Sequence, residues 1–138
     1  MIEYSKLNPG HEFPPASFRL DSTMVAAYIK AVGETSPIYP SGNLVPPMAV
    51  AAFAMAALSK GMLLPSGAIH VSQEIELMDF ITTNSIVTSH AKVNRKQKRG
   101  NLHLLTIDFH ILDQDNKTVL TGKTEFILPE PNTSNRGQ

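Results

Sequence analysis

The sequence predicts an α+β fold in which one antiparallel sheet wraps around a buried central helix. The first observation is an alanine-rich stretch, residues 46–60, which carries large apolar side chains and no charge before Lys60. A helix without a polar stripe is buried nearly all round. The second observation is a run of strand-like segments from residue 69 onwards, joined by short polar turns, which favours antiparallel pairing. A sheet with a helix on one face is a two-layer architecture.

The composition is that of an ordinary globular protein. The chain has 138 residues, of which 42% are hydrophobic and 17% are charged. This length fits one domain with a real core, which we assign to residues 1–130, followed by a flexible tail at residues 131–138. Twelve lysines and arginines balance 12 aspartates and glutamates. A neutral chain gives no electrostatic reason to expect a nucleic-acid partner.

Several kinds of site and location are disfavoured by the residue types present. The chain has no cysteine, which excludes disulfides, thiol nucleophiles and cysteine metal ligands. The histidines of the predicted strands, His90, His103 and His110, lack metal-ligand spacing, so we expect no metal and no cofactor. No basic segment precedes an apolar run at the N-terminus, and residues 44–59 fall short of the roughly 20 apolar residues that span a bilayer. We therefore expect a cytoplasmic protein without membrane contact.

Local signals place the elements that precede the buried helix. Residues 17–20 predict a short strand after an irregular, proline-rich lead-in. Asp21 or Ser22 can cap a helix over residues 23–32, because a short polar side chain accepts from the free N–H groups of the first turn. Gly33 can end that helix in the left-handed conformation. Serine, proline, glycine and asparagine in residues 34–44 predict a loop.

Four strands are predicted after the buried helix, at residues 69–78, 85–95, 101–112 and 118–128. The first of them alternates apolar and polar side chains, as a half-buried strand does. Polar runs at residues 96–100 and 113–117 predict the turns between the later strands.

Three motifs, in this order, resemble those of the MaoC-like dehydratases. Residues 28–39, Tyr-Ile-Lys-Ala-Val-Gly-Glu-Thr-Ser-Pro-Ile-Tyr, are similar to the family pattern Tyr-x-x-x-x-Gly-Asp-x-Asn-Pro-Ile-His. Residues 45–48, Val-Pro-Pro-Met, are similar to an Ala-Pro-Pro-Thr run in the branch related to the type I fatty-acid-synthase dehydratase domain. Residues 69–76 resemble the His-x-x-Gln-x-Phe strand of that branch. The resemblance covers about residues 18–128.

The resemblance implies a hot-dog fold that is dimeric or pseudo-dimeric, with two sheets joined edge to edge. It implies acyl thioesters of CoA or acyl carrier protein as ligands, and a homodimer or a heterodimer with another hot-dog chain. Active members of the family use the aspartate and histidine of the first motif. They hydrate a trans-2-enoyl thioester, or dehydrate the (3R)-hydroxyacyl form.

The sequence departs from the family pattern at the catalytic dyad. Where the family pattern has aspartate, asparagine and histidine, this sequence has Glu34, Ser36 and Tyr39. A glutamate can still act as a base, whereas a phenol is a poor replacement for an imidazole near neutral pH. His70 is the best replacement acid or base. The structural alternatives are a solvated carboxylate for Glu34, a packed ring for Tyr39 and an exposed strand histidine for His70.

The predicted substrate-binding residues lie on the buried helix and in the basic cluster at residues 95–99. The N-terminus of the helix, at Pro47, Met48 and Ala49, can supply amides to a thioester oxygen. Phe53 can line an acyl tunnel, although such residues are more often simply core. Arg95 and Arg99 can contact the phosphates of CoA or of a carrier protein, with a charged hairpin tip as the alternative.

Three functions follow as hypotheses. The first is a hydro-lyase on hydroxyacyl and enoyl thioesters that uses Glu34 with His70 or Tyr39. The second is a non-catalytic subunit that binds acyl thioester and pairs with a catalytic hot-dog chain. The third is an acyl-CoA thioesterase, which is the weakest, because thioesterases of this fold usually carry an acid or asparagine on the central helix.

Overall fold

The computed structural model describes residues 2–130, so the predicted tail at residues 131–138 lies outside the described residues. The helices are α1 Ser22–Val32, α2 Ile38–Gly42 and α3 Pro47–Ser59, and a single 3-10 turn spans Tyr4–Lys6. The strands are β1 Ile2–Glu3, β2 Ala16–Arg19, β3 Met62–Leu63, β4 Ile69–Leu77, β5 Ile86–Arg99, β6 Leu102–Leu112 and β7 Thr118–Pro129. No helix within this range is long and apolar enough to cross a bilayer.

Helix α1 begins and ends where the sequence predicts. The Asp21 carboxylate accepts a hydrogen bond of 2.7 Å from the Thr23 N–H, which satisfies one of the free donors of the first turn. Gly33 caps the other end in the left-handed conformation, with φ at 70°. This turn directs the chain from α1 into the segment that carries Glu34.

The prediction of a continuous loop over residues 34–44 was wrong in its second half. Helix α2 forms there because the Ser41 N–H donates to the Pro37 carbonyl at 3.0 Å, which closes one helical turn. Asn43 ends the turn with φ at 55°, in the left-handed region that asparagine tolerates. The proline and glycine of this segment are typical of a loop, and a helix of only one turn leaves too few residues for a helical pattern to be recognised.

Helix α3 is buried against the sheet, as its composition predicts. Its buried side chains are Ala49, Val50, Ala51, Ala54 and Leu58. The alanines allow the sheet to come close, and the apolar groups on both halves of the helix join two clusters of buried residues. Removal of this apolar surface from water is the main driving force for the fold.

The sheet has five strands in the order β2-β5-β6-β7-β4, and all its neighbours are antiparallel. Strand β4 pairs with the last strand rather than with β5, which follows it in sequence. Strand β4 therefore lies at one edge of the sheet. The two short strands β1 and β3 pair with each other in parallel and form a separate ribbon.

The predicted turn at residues 96–100 was wrong. Strand β5 continues to Arg99, and the β5–β6 turn is only Gly100 and Asn101. Lys96 is held in the strand by two contacts with Tyr4. Its Nζ donates a hydrogen bond of 3.0 Å to the Tyr4 carbonyl and lies 4.3 Å from the centre of the Tyr4 ring. The partner of this lysine is distant in sequence, so the local polar pattern gave no sign of it.

Two histidines face each other across β5 and β6 on the sheet surface opposite α3. The rings of His90 and His110 stack at 4.9 Å with 9° between their planes. Burial, and then the positive charge that His90 can carry, lowers the pKa of His110 below the 6.5 of an ordinary histidine. Near and below pH 6.5, His110 therefore binds a proton less readily in the folded chain than in the unfolded chain.

This stacked pair predicts a pH dependence of stability. The unfolded state binds more protons in the window below pH 6.5, so we expect the free energy of unfolding to fall as the pH drops through that window. His90→Gln removes the second positive charge and should reduce the loss. Urea denaturation of both proteins at about pH 8 and about pH 5.5 measures the difference. An equal loss in both proteins would count against the pair as its source.

Candidate active site

A cavity of about 370 Å³ lies where α1, α2, the start of α3 and strand β4 meet. It is lined by Tyr28, Val32, Glu34, Tyr39, Pro46, Pro47, Met48 and Ile75. Four of the residues that the sequence singled out, Glu34, Tyr39, Pro47 and Met48, therefore lie together. They come from two neighbouring motifs that the α2 segment folds against each other.

Glu34 is held at the mouth of this cavity by the backbone around it. Its N–H donates to the Ile29 carbonyl at 3.0 Å, which continues the cap of α1. Its Oε1 accepts a hydrogen bond of 2.9 Å from the Ser36 N–H. Its Oε2 has no hydrogen bond to residues 2–130. The side chain is exposed, so one carboxylate oxygen is oriented and the other is open to a ligand.

Tyr39 is half-buried on α2. Its carbonyl accepts from the Leu44 N–H at 3.1 Å, and the cap residue Asn43 also donates to it. These bonds fix the backbone of Tyr39, whose side chain contributes to the lining of the cavity. A phenol can donate to a substrate oxygen, although it is a weaker acid than an imidazolium.

The N-terminus of α3 offers one free amide to the cavity. Pro47 has no N–H, and the Ala49 N–H donates to the Pro46 carbonyl at 3.0 Å. The Met48 N–H has no acceptor among the described residues. The predicted role of Ala49 therefore needs correction, because its amide is engaged and its side chain is fully buried. The Met48 amide lies at the positive end of the helix dipole, which favours a developing negative charge.

Phe53 and His70 lie outside the lining of the cavity. Phe53 is half-buried one turn further along α3 and meets the Tyr28 ring edge-on at 6.4 Å between centres, so it supports the wall from behind. His70 stacks on Phe126, and its Nε2 is 2.6 Å from the Thr124 hydroxyl. Because β4 is bulged between His70 and Ser72, it lies four rows of the sheet from Ile75, about 13 Å along the strand.

The structure does not bring Arg95 and Arg99 to the cavity. Ala91 is the β5 residue in the same row as Ile75. Because β5 is bulged between Val93 and Arg95, the two arginines lie three and seven rows of the sheet beyond it, roughly 10 Å and 23 Å at ~3.3 Å per row. The predicted cluster is also dispersed, because Lys98 forms an ion pair of 2.8 Å with Glu130. A phosphate group bound by these two arginines would therefore lie outside the cavity in which the reaction is predicted.

The apolar wall of the cavity was not predicted from the sequence. The helical spacing of Tyr28 and Val32 and the alternation around Ile75 indicate only side chains that face inwards. The tyrosine that opens the first motif was the available signal. Periodicity shows which residues face inwards, but it does not separate packed core from the lining of a cavity.

This chain is similar to known proteins in structure but has no match by sequence. No family model and no curated protein matches the sequence. An R-hydratase from Pseudomonas aeruginosa, PhaJ1, aligns with a TM-score of 0.76 at 17% identity, over 93% of this chain and 86% of its own. A MaoC-like dehydratase from Rhodospirillum rubrum aligns with a TM-score of 0.75 at 16% identity, over 95% and 99%. The chain has the MaoC-like hot-dog fold.

This result confirms the predicted fold class. A third structure, the HadBC (3R)-hydroxyacyl-ACP dehydratase complex from Mycobacterium tuberculosis, aligns with a TM-score of 0.70 at 11% identity, over 86% of this chain and 96% of that one. At such identities the likeness concerns the fold. What a chain with this fold does depends on its own residues, and here Glu34 and Tyr39 line the cavity.

Proposed function

We propose that this chain is a hydro-lyase that interconverts (3R)-hydroxyacyl and trans-2-enoyl thioesters, with Glu34 as its base. One observation carries the proposal: Glu34, Tyr39 and Met48, which bring a carboxylate, a phenol and a free helix-terminal amide, line one cavity of about 370 Å³. Each matches a requirement of the reaction. A base must take the α-proton, an acid must protonate the leaving hydroxyl, and an N–H donor must stabilise the thioester oxygen.

The residues can divide the dehydration between them. The Met48 N–H binds the thioester oxygen, and Glu34 removes the proton from the carbon next to the carbonyl. The electron pair of that C–H bond moves towards the thioester oxygen and then forms the new carbon–carbon double bond as the C–O bond breaks. The Tyr39 hydroxyl donates its proton to the departing oxygen, which leaves as water. Solvent returns the proton from Glu34 to the phenolate, and hydration follows the same steps in reverse.

The ligand and the partner are also part of the proposal. The cavity accepts the acyl thioester of CoA or of acyl carrier protein, with the apolar wall of Tyr28, Val32 and Ile75 against the acyl chain. A second hot-dog chain would lie along β4, whose outer edge has no strand within residues 2–130. One of the structures with this fold is a complex, which agrees with a partnered assembly.

A second candidate function has its own supporting observation. The carboxylate of Glu34 is partly engaged by the Ser36 N–H at 2.9 Å, and a phenol occupies the position where the family has its histidine. Both features suit a subunit that binds acyl thioester without converting it and pairs with a catalytic chain. The thioesterase alternative gains no such support, since α3 carries no acidic or amide side chain.

Two measurements separate the candidates. The first is hydration of trans-2-enoyl-CoA by the purified chain, with acyl groups from short to long. The second, made in parallel, is equilibrium binding of the saturated acyl-CoA. Turnover is the expected outcome. Binding without turnover would replace the hydro-lyase by the binding subunit. If the chain neither binds nor converts the thioesters of CoA and of carrier protein, both candidate functions are contradicted.

A further inference from the structure

The stacked histidines of β5 and β6 lie in a depression of about 300 Å³ that the proposed reaction does not use. Neither His90 nor His110 lines the cavity that holds Glu34. Imidazole is the side chain that binds metal ions most often in proteins, and two imidazoles that face one point can hold an ion between them. The depression is therefore a candidate metal site on the surface of the sheet opposite α3.

The register of the sheet places these two side chains directly opposite each other. His90 is paired with His110 in the β5–β6 ladder, where opposed Cβ atoms are about 5 Å apart. The rings are nearly parallel, with 9° between their planes and 4.9 Å between their centres. Two nitrogen atoms on one ion, each about 2.1 Å from it at a tetrahedral angle, lie about 3.4 Å apart. A small tilt of each ring towards the other gives this separation.

The nitrogen atoms of both rings are available to an ion from solvent. His110 is exposed and His90 is half-buried. Within residues 2–130, neither ring forms a hydrogen bond or an ion pair, whereas the His70 ring is hydrogen-bonded and the Nε2 atom of His103 is buried. No polar contact of the two rings therefore has to break when the pair binds an ion.

The charged neighbours of the pair cancel each other. Asp108 precedes His110 by two residues on the same face of β6, and Lys92 of β5 lies directly opposite Asp108. The Oδ2 atom of Asp108 also accepts a hydrogen bond of 2.5 Å from the Asn94 amide. No three potential ligands are grouped around one point within residues 2–130. The protein therefore supplies two ligands, both of them imidazoles, and water completes the coordination.

We propose that His90 and His110 together bind one divalent transition-metal ion, with one nitrogen of each imidazole as a ligand. Imidazole suits Cu²⁺, Ni²⁺ and Zn²⁺, and the affinity of a nitrogen site is greatest for Cu²⁺ in this series. Spacing along the chain did not predict the site, because the two histidines lie on different strands and meet only across the sheet. The inference is independent of the proposed hydro-lyase function, since it concerns a different site.

Isothermal titration calorimetry of the full chain with CuCl₂ and with ZnCl₂, in the absence of a histidine tag, tests the site. The wild type is expected to bind one ion per chain, and Cu²⁺ more tightly than Zn²⁺. His90→Gln and His110→Gln should each weaken binding by at least about 100-fold, because the loss of a mere hydrogen-bond partner of a ligand costs about 10–100-fold. His11→Gln is the matched control. This histidine is half-buried but stacks on Phe13 instead, so its substitution should leave binding unchanged.

Thermal unfolding gives a second readout, because the ion links β5 to β6 and so binds the folded chain more tightly than the unfolded one. ZnCl₂ at about 100 times its dissociation constant should raise the melting temperature of the wild type and of His11→Gln by several degrees. The same concentration should leave His90→Gln and His110→Gln unchanged. An equal rise in all four proteins would place the ion elsewhere and overturn the proposal.

Electron paramagnetic resonance of the Cu²⁺-loaded wild type counts the nitrogen ligands without any substitution, so it remains decisive if a variant fails to fold. Splitting by two nitrogen nuclei is the expected spectrum, and each single variant should show fewer. A wild type that binds neither ion, a spectrum without nitrogen splitting, or full affinity in both His90→Gln and His110→Gln would each contradict the site. Circular dichroism shows whether each variant is folded.

Discussion

Replacement of Glu34 by glutamine is expected to lower enoyl-thioester hydration by about 10²–10⁴-fold, the usual contribution of a positioned acid or base. Glutamine has nearly the same shape, but it cannot take the α-proton or activate water. It keeps an oxygen that can accept the Ser36 N–H, so the loop that follows α1 should not change. Steady-state kinetics with trans-2-enoyl-CoA measure the effect, and it should fall on kcat more than on KM because the lost interaction belongs to the transition state.

Two variants make this result specific. Glu12→Gln removes another exposed glutamate, which lies beside Lys92 of β5 and outside the cavity, and it should leave the kinetics unchanged. The melting temperature of Glu34→Gln should stay close to that of the wild type, since Glu34 is exposed and surface substitutions usually change stability by about 0.5 kcal/mol or less. A Glu34→Gln protein with full activity would remove Glu34 from the mechanism.

Much of the fold could be predicted because its signals are local. Helix α3 follows from an uninterrupted alanine-rich stretch, and Asp21 and Gly33 are capping residues that act on their own turns. The part of the site that was predicted is local in the same sense. Glu34 and Tyr39 lie on either side of one short segment, and Met48 begins the next helix. Two motifs that are neighbours in the sequence can therefore carry all three.

The features that escaped prediction depend on contacts between distant residues. Lys96 belongs to a strand rather than a turn because Tyr4, far away in sequence, covers it. The placement of β4 beside β7 decides that Ile75 lines the cavity and that His70 does not. Alternation placed Ile75 on the inward face of β4, but it missed the bulge between His70 and Ser72, which turns His70 to that same face. It also contains no information on which strand becomes the neighbour.

Gly122→Ala is expected to destabilise the fold by about 1–3 kcal/mol, the usual cost of overpacking a core. Gly122 lies in the middle of β7, directly between Phe109 of β6 and Ile75 of β4. A Cβ at this position would lie 2.6 Å from Cε1 of the Phe109 ring and 2.8 Å from the Glu74 carbonyl oxygen, and closer still to the ring's Cζ. Glycine within a strand marks such a close approach, and here the ring of Phe109 occupies the space that a side chain would fill.

Urea denaturation of Gly122→Ala measures this cost, and two comparisons identify its source. Gly61→Ala places a Cβ 3.5 Å from its nearest neighbour, an ordinary contact, and should change the free energy of unfolding by about 0.5 kcal/mol or less. Phe109→Leu removes the far end of the ring, so its own cost should partly cancel that of Gly122→Ala when the two are combined. Strictly additive costs would show that the ring is not what excludes a side chain from residue 122. A negative coupling would show that the Phe109 ring excludes a side chain from residue 122, which lies in the same row of the sheet as Ile75 of the cavity lining.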